Sequence, residues 1–217
     1  MVIPMRADSS DVEQLVQQAA AGDPGSWAEL IKRYRSRLRR MVSFRMDARL
    51  QGRVDPSDVV QEVCLEAWQH LGSYVSQPNT SFFLWLRAVA GHKLGDLHRY
   101  HLGARMRDAR REISLYQGSL PGATSAALAA QLLGHLTRPS EAAVRAERKV
   151  QLQTALNAMD PIDREVLALR HFEQLTVSEA AAVLGIKEKA AGMRYVRALR
   201  RLKEILTTLG GWSEPCP

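Results

Sequence analysis

Cysteine is scarce in this chain of 217 residues, which contains only Cys64 and Cys216. Two cysteines so far apart form neither the closely spaced cluster of a zinc site nor the disulfide framework of a small secreted domain. The sequence therefore predicts that both thiols are reduced. It predicts no structural metal and no other cofactor.

Long apolar runs are also missing. The longest run without a charged residue, 113–137, contains polar side chains such as Gln117 and Gln131, which would be unsatisfied in lipid. The first fourteen residues, MVIPMRADSSDVEQ, reach acidic side chains before any apolar stretch of the kind found in a secretory signal. We expect no membrane span and a cytoplasmic protein.

The sequence lacks the common catalytic motifs. It contains no GxxxxGK[ST] phosphate loop, no GxGxxG, no GxSxG and no HExxH. His98 and His101 are three residues apart, but no further ligand type is spaced to complete a metal site with them. The sequence predicts no enzymatic activity.

Strand signals are nearly absent, whereas helix punctuation is abundant. There is no sustained period-2 alternation and no Asn-Gly or Asp-Gly hairpin turn. Helix-start signals recur, such as the capping box Ser10-Asp11-Val12-Glu13 and the Asp-Pro pairs at 55–56 and 160–161. We predict an all-α fold, with helices over about 10–21, 26–45, 55–71, 80–100, 126–135, 140–158, 160–172, 177–184 and 187–208.

Two small helical domains joined by a linker account best for this order. The first four helices form a bundle over residues 8–102. Residues 103–139 shift towards alanine, glycine, serine and leucine, and we interpret them as a linker with some helical content. The second domain spans 140–210.

Charge is unevenly distributed along the chain. The net charge of +7 favours a polyanionic partner. Nine basic residues and one acidic residue lie between Lys32 and Arg53, whereas residues 54–86 contain acidic side chains and no lysine or arginine. Such blocks indicate surfaces for different partners.

The last third of the chain contains the pattern of a helix-turn-helix. Thr176-Val177-Ser178-Glu179 is a capping box for a short helix, Gly185 marks the turn, and a long helix with a basic stripe follows. In that motif the second helix lies in the major groove of DNA. A DNA-binding function is therefore predicted for this segment.

Three stretches together resemble a known family. They are DPSDVVQEVCLEAWQHL (55–71), SFFLWLRAVAGHKLGDLHRY (81–100) and ALNAMDPIDREVLALRHFEQLTVSEAAAVLGIKEKAAGMRYVRALRRLKEIL (155–206). In this order they resemble regions 2 and 4 of bacterial RNA polymerase sigma factors, in particular the short two-domain extracytoplasmic-function group. The resemblance implies a factor that binds core RNA polymerase and directs promoter recognition, DNA opening and transcription initiation at a specific regulon.

The resemblance implies two contacts with core polymerase, the β′ coiled coil and the β flap. The helix that begins at Asp55 matches the segment that binds the β′ coiled coil, and its four acidic residues fall on one stripe. The polymerase-binding residues expected from this match are Asp55, Asp58, Val59, Gln61, Glu62 and Glu66. An anti-sigma factor is a further partner class that the resemblance allows and the sequence does not identify.

The segment 74–99 matches the family segment that captures and opens the −10 element. Unpaired bases need aromatic surfaces to stack on and a basic track for the phosphates. The residues expected to contact DNA here are Tyr74, Asn79, Phe83, Arg87, Lys93, His98 and Arg99.

The long helix after Gly185 matches the family's −35 recognition helix. It departs from the usual pattern at 190–194, where Ala-Ala-Gly-Met-Arg stands in place of Thr-Val-Lys-Ser-Arg, so Ala190 and Gly192 lack the hydroxyl and the cation that would normally touch DNA. The residues expected to contact promoter DNA are Lys187, Glu188, Lys189, Arg194, Arg197 and Arg201.

Two other functions compete with this interpretation. A helix-turn-helix repressor or activator would bind its operator tightly without polymerase, and its N-terminal bundle would dimerise or sense a ligand. A response-regulator output protein would need a parallel α/β pattern that the first hundred residues lack. The acidic stripe followed by the aromatic and basic segment favours the initiation factor.

Overall fold

The computed structural model describes residues 8–47, 49–50, 52–76, 80–102, 124–134 and 142–208. Regular structure within these residues is helical throughout, without a strand. The predicted all-α fold is confirmed. The chain forms two compact units, within residues 1–121 and 122–217. In the described residues no helix is both long and apolar enough to cross a membrane.

Four long helices build the first unit. They are α1 (Asp8–Ala20), α2 (Pro24–Arg45), α3 (Pro56–Ser76) and α4 (Phe82–Leu102). Helix α2 packs against α1, α3 and α4, and α3 also contacts α1 and α4. Each helix contributes apolar side chains at helical spacing, so that one face is buried. Side chains with no solvent exposure include Leu30, Leu38, Met41, Val63, Leu86 and Leu94.

An aspartate followed by proline starts a helix at three places in the chain. The Asp23 carboxylate accepts hydrogen bonds from the amides of Gly25 (3.1 Å) and Ser26 (3.0 Å) at the start of α2. Asp55 and Asp160 each accept one from the amide two residues later. These caps satisfy amides that have no partner within the helix. The helix starts at Asp55 and Asp160 were predicted from this signal, whereas the one at Asp23 was not.

Two helix ends differ from the predictions. Helix α1 begins at Asp8, so Ser10 lies inside its first turn and does not cap it. Helix α3 does not end at Gly72 but continues to Ser76. Glycine costs a helix about 1 kcal/mol relative to alanine. This cost is offset because the extra turn brings Tyr74 onto Trp85, with ring centroids 4.8 Å apart.

The described part of the second unit is built from three short helices and two longer ones. They are α5 (Ser125–Gly134), α6 (Ala142–Asn157), α7 (Pro161–Leu167), α8 (Val177–Leu184) and α9 (Glu188–Thr208), and a π-helical turn (Ala168–Phe172) follows α7 directly. Helix α9 packs against α6, α7 and α8, and α5 packs against α6. The fully buried side chains of the second unit include Leu156, Val166, Leu169, Leu175, Ala180 and Ala198.

Candidate polymerase and promoter interfaces

Helix α3 exposes a face of acidic and polar side chains with one large apolar residue in the middle. Asp58, Gln61 and Glu62 are exposed, and Leu65 among them is 61% exposed. Because residues three and four apart are neighbours on a helix, Leu65 is adjacent to both Gln61 and Glu62. We call Asp58, Gln61, Glu62 and Leu65 the outer face of α3. Leu65 was not among the expected contacts, although its position between Glu62 and Glu66 is a signal of exposure in the sequence.

The remaining residues expected at the polymerase contact lie elsewhere. Asp55 is exposed, and its carboxylate accepts a hydrogen bond from the Ser57 amide at 2.6 Å, which lowers its pKa. Glu66 is half-buried. Val59 is only 4% exposed and packs in the core, so the expected direct contact through its side chain disagrees with the structure.

An ion pair joins the outer face of α3 to α4. The Lys93 ammonium lies 2.6 Å from the Glu62 carboxylate, and this partner raises the pKa of Lys93. The two side chains are 34% and 57% exposed. A residue expected at the polymerase contact is thus paired with one expected at the −10 DNA.

Two aromatic residues expected to stack on bases are packed inside the first unit. Phe83 is 2% exposed, and the Arg37 guanidinium lies 3.6 Å from the centre of its ring. Tyr74 is half-buried against Trp85, and its hydroxyl donates a hydrogen bond to the Thr80 carbonyl at 3.0 Å. Burial raises the pKa of the Tyr74 phenol. In this structure the Phe83 ring is enclosed, and the Tyr74 ring is stacked on Trp85.

Arg87 and His98, which were expected to lie along DNA, are also buried, each at 4% exposure. The His98 ring nitrogen Nε2 accepts a hydrogen bond from the Asp47 amide at 3.2 Å. Only the neutral ring has a lone pair for this bond. His98 therefore joins the end of α2 to α4, and its expected role as a surface DNA contact disagrees with its burial.

The His98 contact predicts a pH-dependent stability of the first unit. Burial lowers the pKa of His98 below its ordinary value. The hydrogen bond from the Arg49 side chain lowers the pKa of Asp47 to about 2, so Asp47 stays ionised. A histidine with a lowered pKa stabilises the fold fully above about pH 6.5, and the stabilisation is lost as pH falls through the lowered pKa. We expect the free energy of unfolding to decrease as pH falls below about 6.5.

Urea denaturation of the full chain between pH 7.5 and 5 measures this dependence. His98→Ala removes the acceptor of a part-buried amide and should cost about 1–3 kcal/mol at pH 7. The variant should also have a weaker pH dependence. His101→Ala, at an exposed position, is the control. Equal pH dependence in wild type and His98→Ala would contradict the assignment.

The exposed end of α4 retains part of the expected DNA surface. Arg99 is exposed and forms a surface ion pair with Asp96, which contributes little to stability. Asn79 lies outside the described residues. Tyr100, which the sequence analysis did not select, is 85% exposed and packs edge-on against His101. An exposed aromatic residue next to a cation is suited to stacking on an unpaired base.

The predicted capping box of the helix-turn-helix is present in full. The Thr176 hydroxyl accepts from the Glu179 amide at 3.0 Å, and the Glu179 carboxylate accepts from the Thr176 amide at 2.8 Å. Gly185 ends α8 in the left-handed conformation, with φ 64°. Small side chains are buried on both helices of the motif, Ala180 and Ala181 on α8 and Ala191 on α9, which lets the helices approach closely.

The residues expected at the −35 DNA divide into two groups. Lys187, Glu188, Lys189, Arg197 and Arg201 are exposed at or along α9, and Arg201 pairs with Glu204 on the same helix. Arg194 is half-buried and lies 3.2 Å from Asp163 of α7. Arg194 therefore fixes α9 to α7, and a purely DNA-facing role disagrees with this pairing.

The exposed side of α9, opposite its buried face, is not purely basic as the sequence predicted but also contains apolar side chains. Its exposed residues are Lys189, Met193, Val196 and Arg200, at intervals of four, three and four. Ala191, Ala198 and Leu202 are buried on the other side. Met193 and Val196 are not cations, and Arg200 lies off the basic stripe predicted from the sequence, so none of the three was expected at this surface.

The described residues contain no group of three or more His, Cys, Asp or Glu side chains arranged to hold a metal ion. Cys64 is half-buried and has a free thiol, and burial raises its pKa. Cys216 lies outside the described residues. A thiol with a raised pKa is a poor nucleophile at neutral pH.

Two family matches cover more than half of the chain. Residues 30–102 match Sigma-70 region 2, and residues 149–202 match Sigma-70, region 4. The first match contains the outer face of α3 and all of α4, and the second contains the helix-turn-helix. A region 2 match upstream of the DNA-binding motif decides against the helix-turn-helix repressor and the response-regulator output protein.

Curated relatives match along nearly the whole length. The chain is 26% identical to the ECF RNA polymerase sigma factor SigD of Mycobacterium tuberculosis, over 96% of this chain and 90% of that protein. It is 26% identical to the RNA polymerase sigma factor CnrH of Cupriavidus metallidurans, over 88% of this chain and 92% of that protein.

A solved structure of a sigma factor is also similar to this chain. The structure of CnrH in complex with the cytosolic domain of CnrY matches with a TM-score of 0.51 and 26% identity, covering 89% of this chain and 96% of that chain. Fold, order of regions and sequence agree. The chain belongs to the extracytoplasmic-function group of RNA polymerase sigma factors.

Proposed function

We propose that this sigma factor attaches to core RNA polymerase through the outer face of α3 and reads promoter DNA through α9 and the exposed end of α4. As a member of its family it binds core polymerase and directs promoter-specific transcription initiation. The observation that carries the proposal is the exposed Leu65 among acidic and polar side chains.

The composition of this face suits a basic partner. Interface hot spots are buried side chains surrounded by contacts that exclude water. Leu65 supplies the apolar centre, and Asp58 and Glu62 supply charge complementary to a basic surface of core polymerase. Neither effect needs a rearrangement of α3, because all three residues are already exposed.

Two cationic surfaces are proposed to contact DNA. On α9, Lys189, Arg197 and Arg200 are exposed and would hold phosphates on either side of the major groove. On α4, Arg99 and Tyr100 would hold a phosphate and stack on an unpaired base. Lys187, Glu188 and Arg201 complete the proposed −35 contact. Phe83, Arg87 and His98 are left out because they are buried.

The ion pair between Glu62 and Lys93 links the two proposed interfaces. A cation of core polymerase that binds Glu62 would compete with Lys93 for the same carboxylate. Lys93 would then be released to a DNA phosphate. Binding to core polymerase would in this way strengthen binding of promoter DNA, as expected of two sites that share one charge.

The wider setting follows from the same family. We propose that the protein acts in the cytoplasm, where core polymerase works, and catalyses no reaction of its own. We propose 8–102 as the region 2 domain and 140–210 as the region 4 domain. The segment 103–139, expected to be a linker, contains α5, which packs against α6 within the second unit. CnrH was solved in complex with the cytosolic domain of CnrY, and we propose that this chain likewise has a further protein partner, of the anti-sigma class that the family resemblance allows.

Reconstitution tests the proposal. The full chain is mixed with core RNA polymerase, and co-elution, the dissociation constant and run-off transcription from its own upstream DNA are measured. Asp58→Lys reverses an exposed charge without removing Glu62 or Lys93. We expect about tenfold weaker binding to core, a change of about 1.4 kcal/mol.

Glu13→Lys makes the same change of charge at an exposed position of α1 and should leave binding unchanged. Thermal unfolding of both variants verifies that they fold. No association of the wild-type chain with core polymerase would overturn the proposal. Equal binding by Asp58→Lys and Glu13→Lys would remove the outer face of α3 from it.

A further inference from the structure

Two large apolar side chains are exposed in the middle of the proposed DNA-reading helix. Met193 and Val196 are each 55% exposed, and with Gly192 and Arg197 they line a shallow apolar groove on α9. Single exposed apolar residues are ordinary on a protein surface. A contiguous apolar patch rimmed by charge is typical of a binding surface.

The patch lies where the helix is farthest from its own core. Met193 and Val196 are adjacent, because residues three apart are neighbours on a helix. Lys189 precedes Met193 by four residues and Arg200 follows Val196 by four, so one exposed stripe has a cation at each end and an apolar centre.

The length of this stripe fits the major groove. Arg200 follows Lys189 by eleven positions, and a helix rises about 1.5 Å per residue, so the two Cα atoms are roughly 16 Å apart along the axis. The major groove of B-DNA is about 12 Å wide. Cations at the two ends can therefore lie against the phosphates that border the groove while the apolar centre faces the base edges.

The major groove offers one apolar feature on the base edges, the C5 methyl group of thymine. Val196 carries no hydrogen-bonding group, and the Met193 thioether is only a weak acceptor, so neither side chain is suited to reading guanine, cytosine or the adenine amino group. We propose that Met193 and Val196 select thymine methyl groups in the −35 element. This inference rests on the proposed placement of α9 in the major groove. The flanking cations Lys189 and Arg200 favour DNA as the occupant of the groove.

Replacing thymine by uracil tests the inference, because only the methyl group is removed and base pairing is kept. Holoenzyme made from the full chain and core RNA polymerase transcribes a template library with randomised −35 and −10 segments, and the productive templates are sequenced. Enriched thymines of the −35 segment are then replaced one at a time by deoxyuridine. Each replacement at a contacted position should reduce transcription about fourfold, the effect of leaving one methyl group unburied.

Three variants assign the effect to the groove. Met193→Gln keeps the length of the side chain and removes its apolar character, so it should abolish the response to uracil at one position. Met193→Leu should retain the response. Val150→Gln makes a similar change at a side chain of α6 that is 65% exposed, and it should also retain the response.

Each outcome of these experiments either supports or overturns the inference. Enriched thymines with a uracil response that Met193→Gln removes support the inference. Promoter-dependent transcription without enriched thymines, or with no response to uracil, overturns it and leaves the proposed function intact. In that case the groove is open to a protein partner. A chain that neither binds core polymerase nor yields promoter-dependent transcripts overturns the proposed function and the inference with it.

Discussion

Leu65→Arg is expected to weaken binding of the chain to core RNA polymerase by about 30-fold or more. The change removes the apolar centre of the outer face of α3 and places a cation where a basic partner surface is proposed. Loss of an interface hot spot typically costs about 2 kcal/mol or more, which corresponds to this factor. Leu65 is 61% exposed, so folding should be unaffected.

Fluorescence anisotropy of the labelled full chain, titrated with core polymerase, measures the effect. Gln17→Arg adds the same side chain at an exposed position of α1 and should bind like the wild type. Leu65→Gln, which adds no charge, should have an intermediate effect. Wild-type affinity in Leu65→Arg would show that the outer face of α3 does not bind core polymerase.

Phe83→Ala is expected to destabilise the first unit by about 3–5 kcal/mol, the usual cost of truncating a buried phenylalanine. Phe83 is 2% exposed, packs against Tyr34 with ring centroids 5.7 Å apart, and lies under the Arg37 guanidinium. The cation over the ring adds to the effect of apolar burial. The sequence interpretation of Phe83 as a base-stacking residue would instead predict a loss of promoter opening with little change in stability.

Urea denaturation followed by circular dichroism separates these two outcomes. Tyr100→Ala truncates an aromatic side chain that is 85% exposed, and its free energy of unfolding should change by no more than about 0.5 kcal/mol. Phe83→Leu keeps an apolar side chain and should cost less than Phe83→Ala, which leaves a folded variant to assay. A Phe83→Ala chain as stable as the wild type would contradict the core assignment.

Local signals along the chain predicted the fold well, because helix starts and turns depend on neighbouring residues. The Thr176 capping box is present, and α8 ends at Gly185, as expected. The end of α3 was not predictable in this way. Gly72 favours the end of the helix, but α3 continues to Ser76, where Tyr74 packs against Trp85 of α4. This contact joins two different helices, so the helical pattern of α3 alone does not predict it.

The candidate site was harder to predict, because residue type does not reveal exposure. Aromatic and basic residues next to each other suggested a DNA surface, yet the Phe83 ring and the His98 imidazole are buried. Conversely, Leu65 and Met193 resembled core residues by type and are exposed. On both α3 and α9 the buried face of the helix decides which stripe remains for a partner.

The sequence alone determined the helical class, the position of the helix-turn-helix and the resemblance to the sigma family, since each depends on the order and spacing of residues. The tertiary structure decided which of the expected side chains reach solvent. It paired Lys93 with Glu62 and Arg194 with Asp163, and it left Leu65 and Tyr100 exposed. These ion pairs and exposed side chains depend on how helices distant in sequence pack together. The packing pairs some charged side chains with each other and leaves some apolar side chains in water.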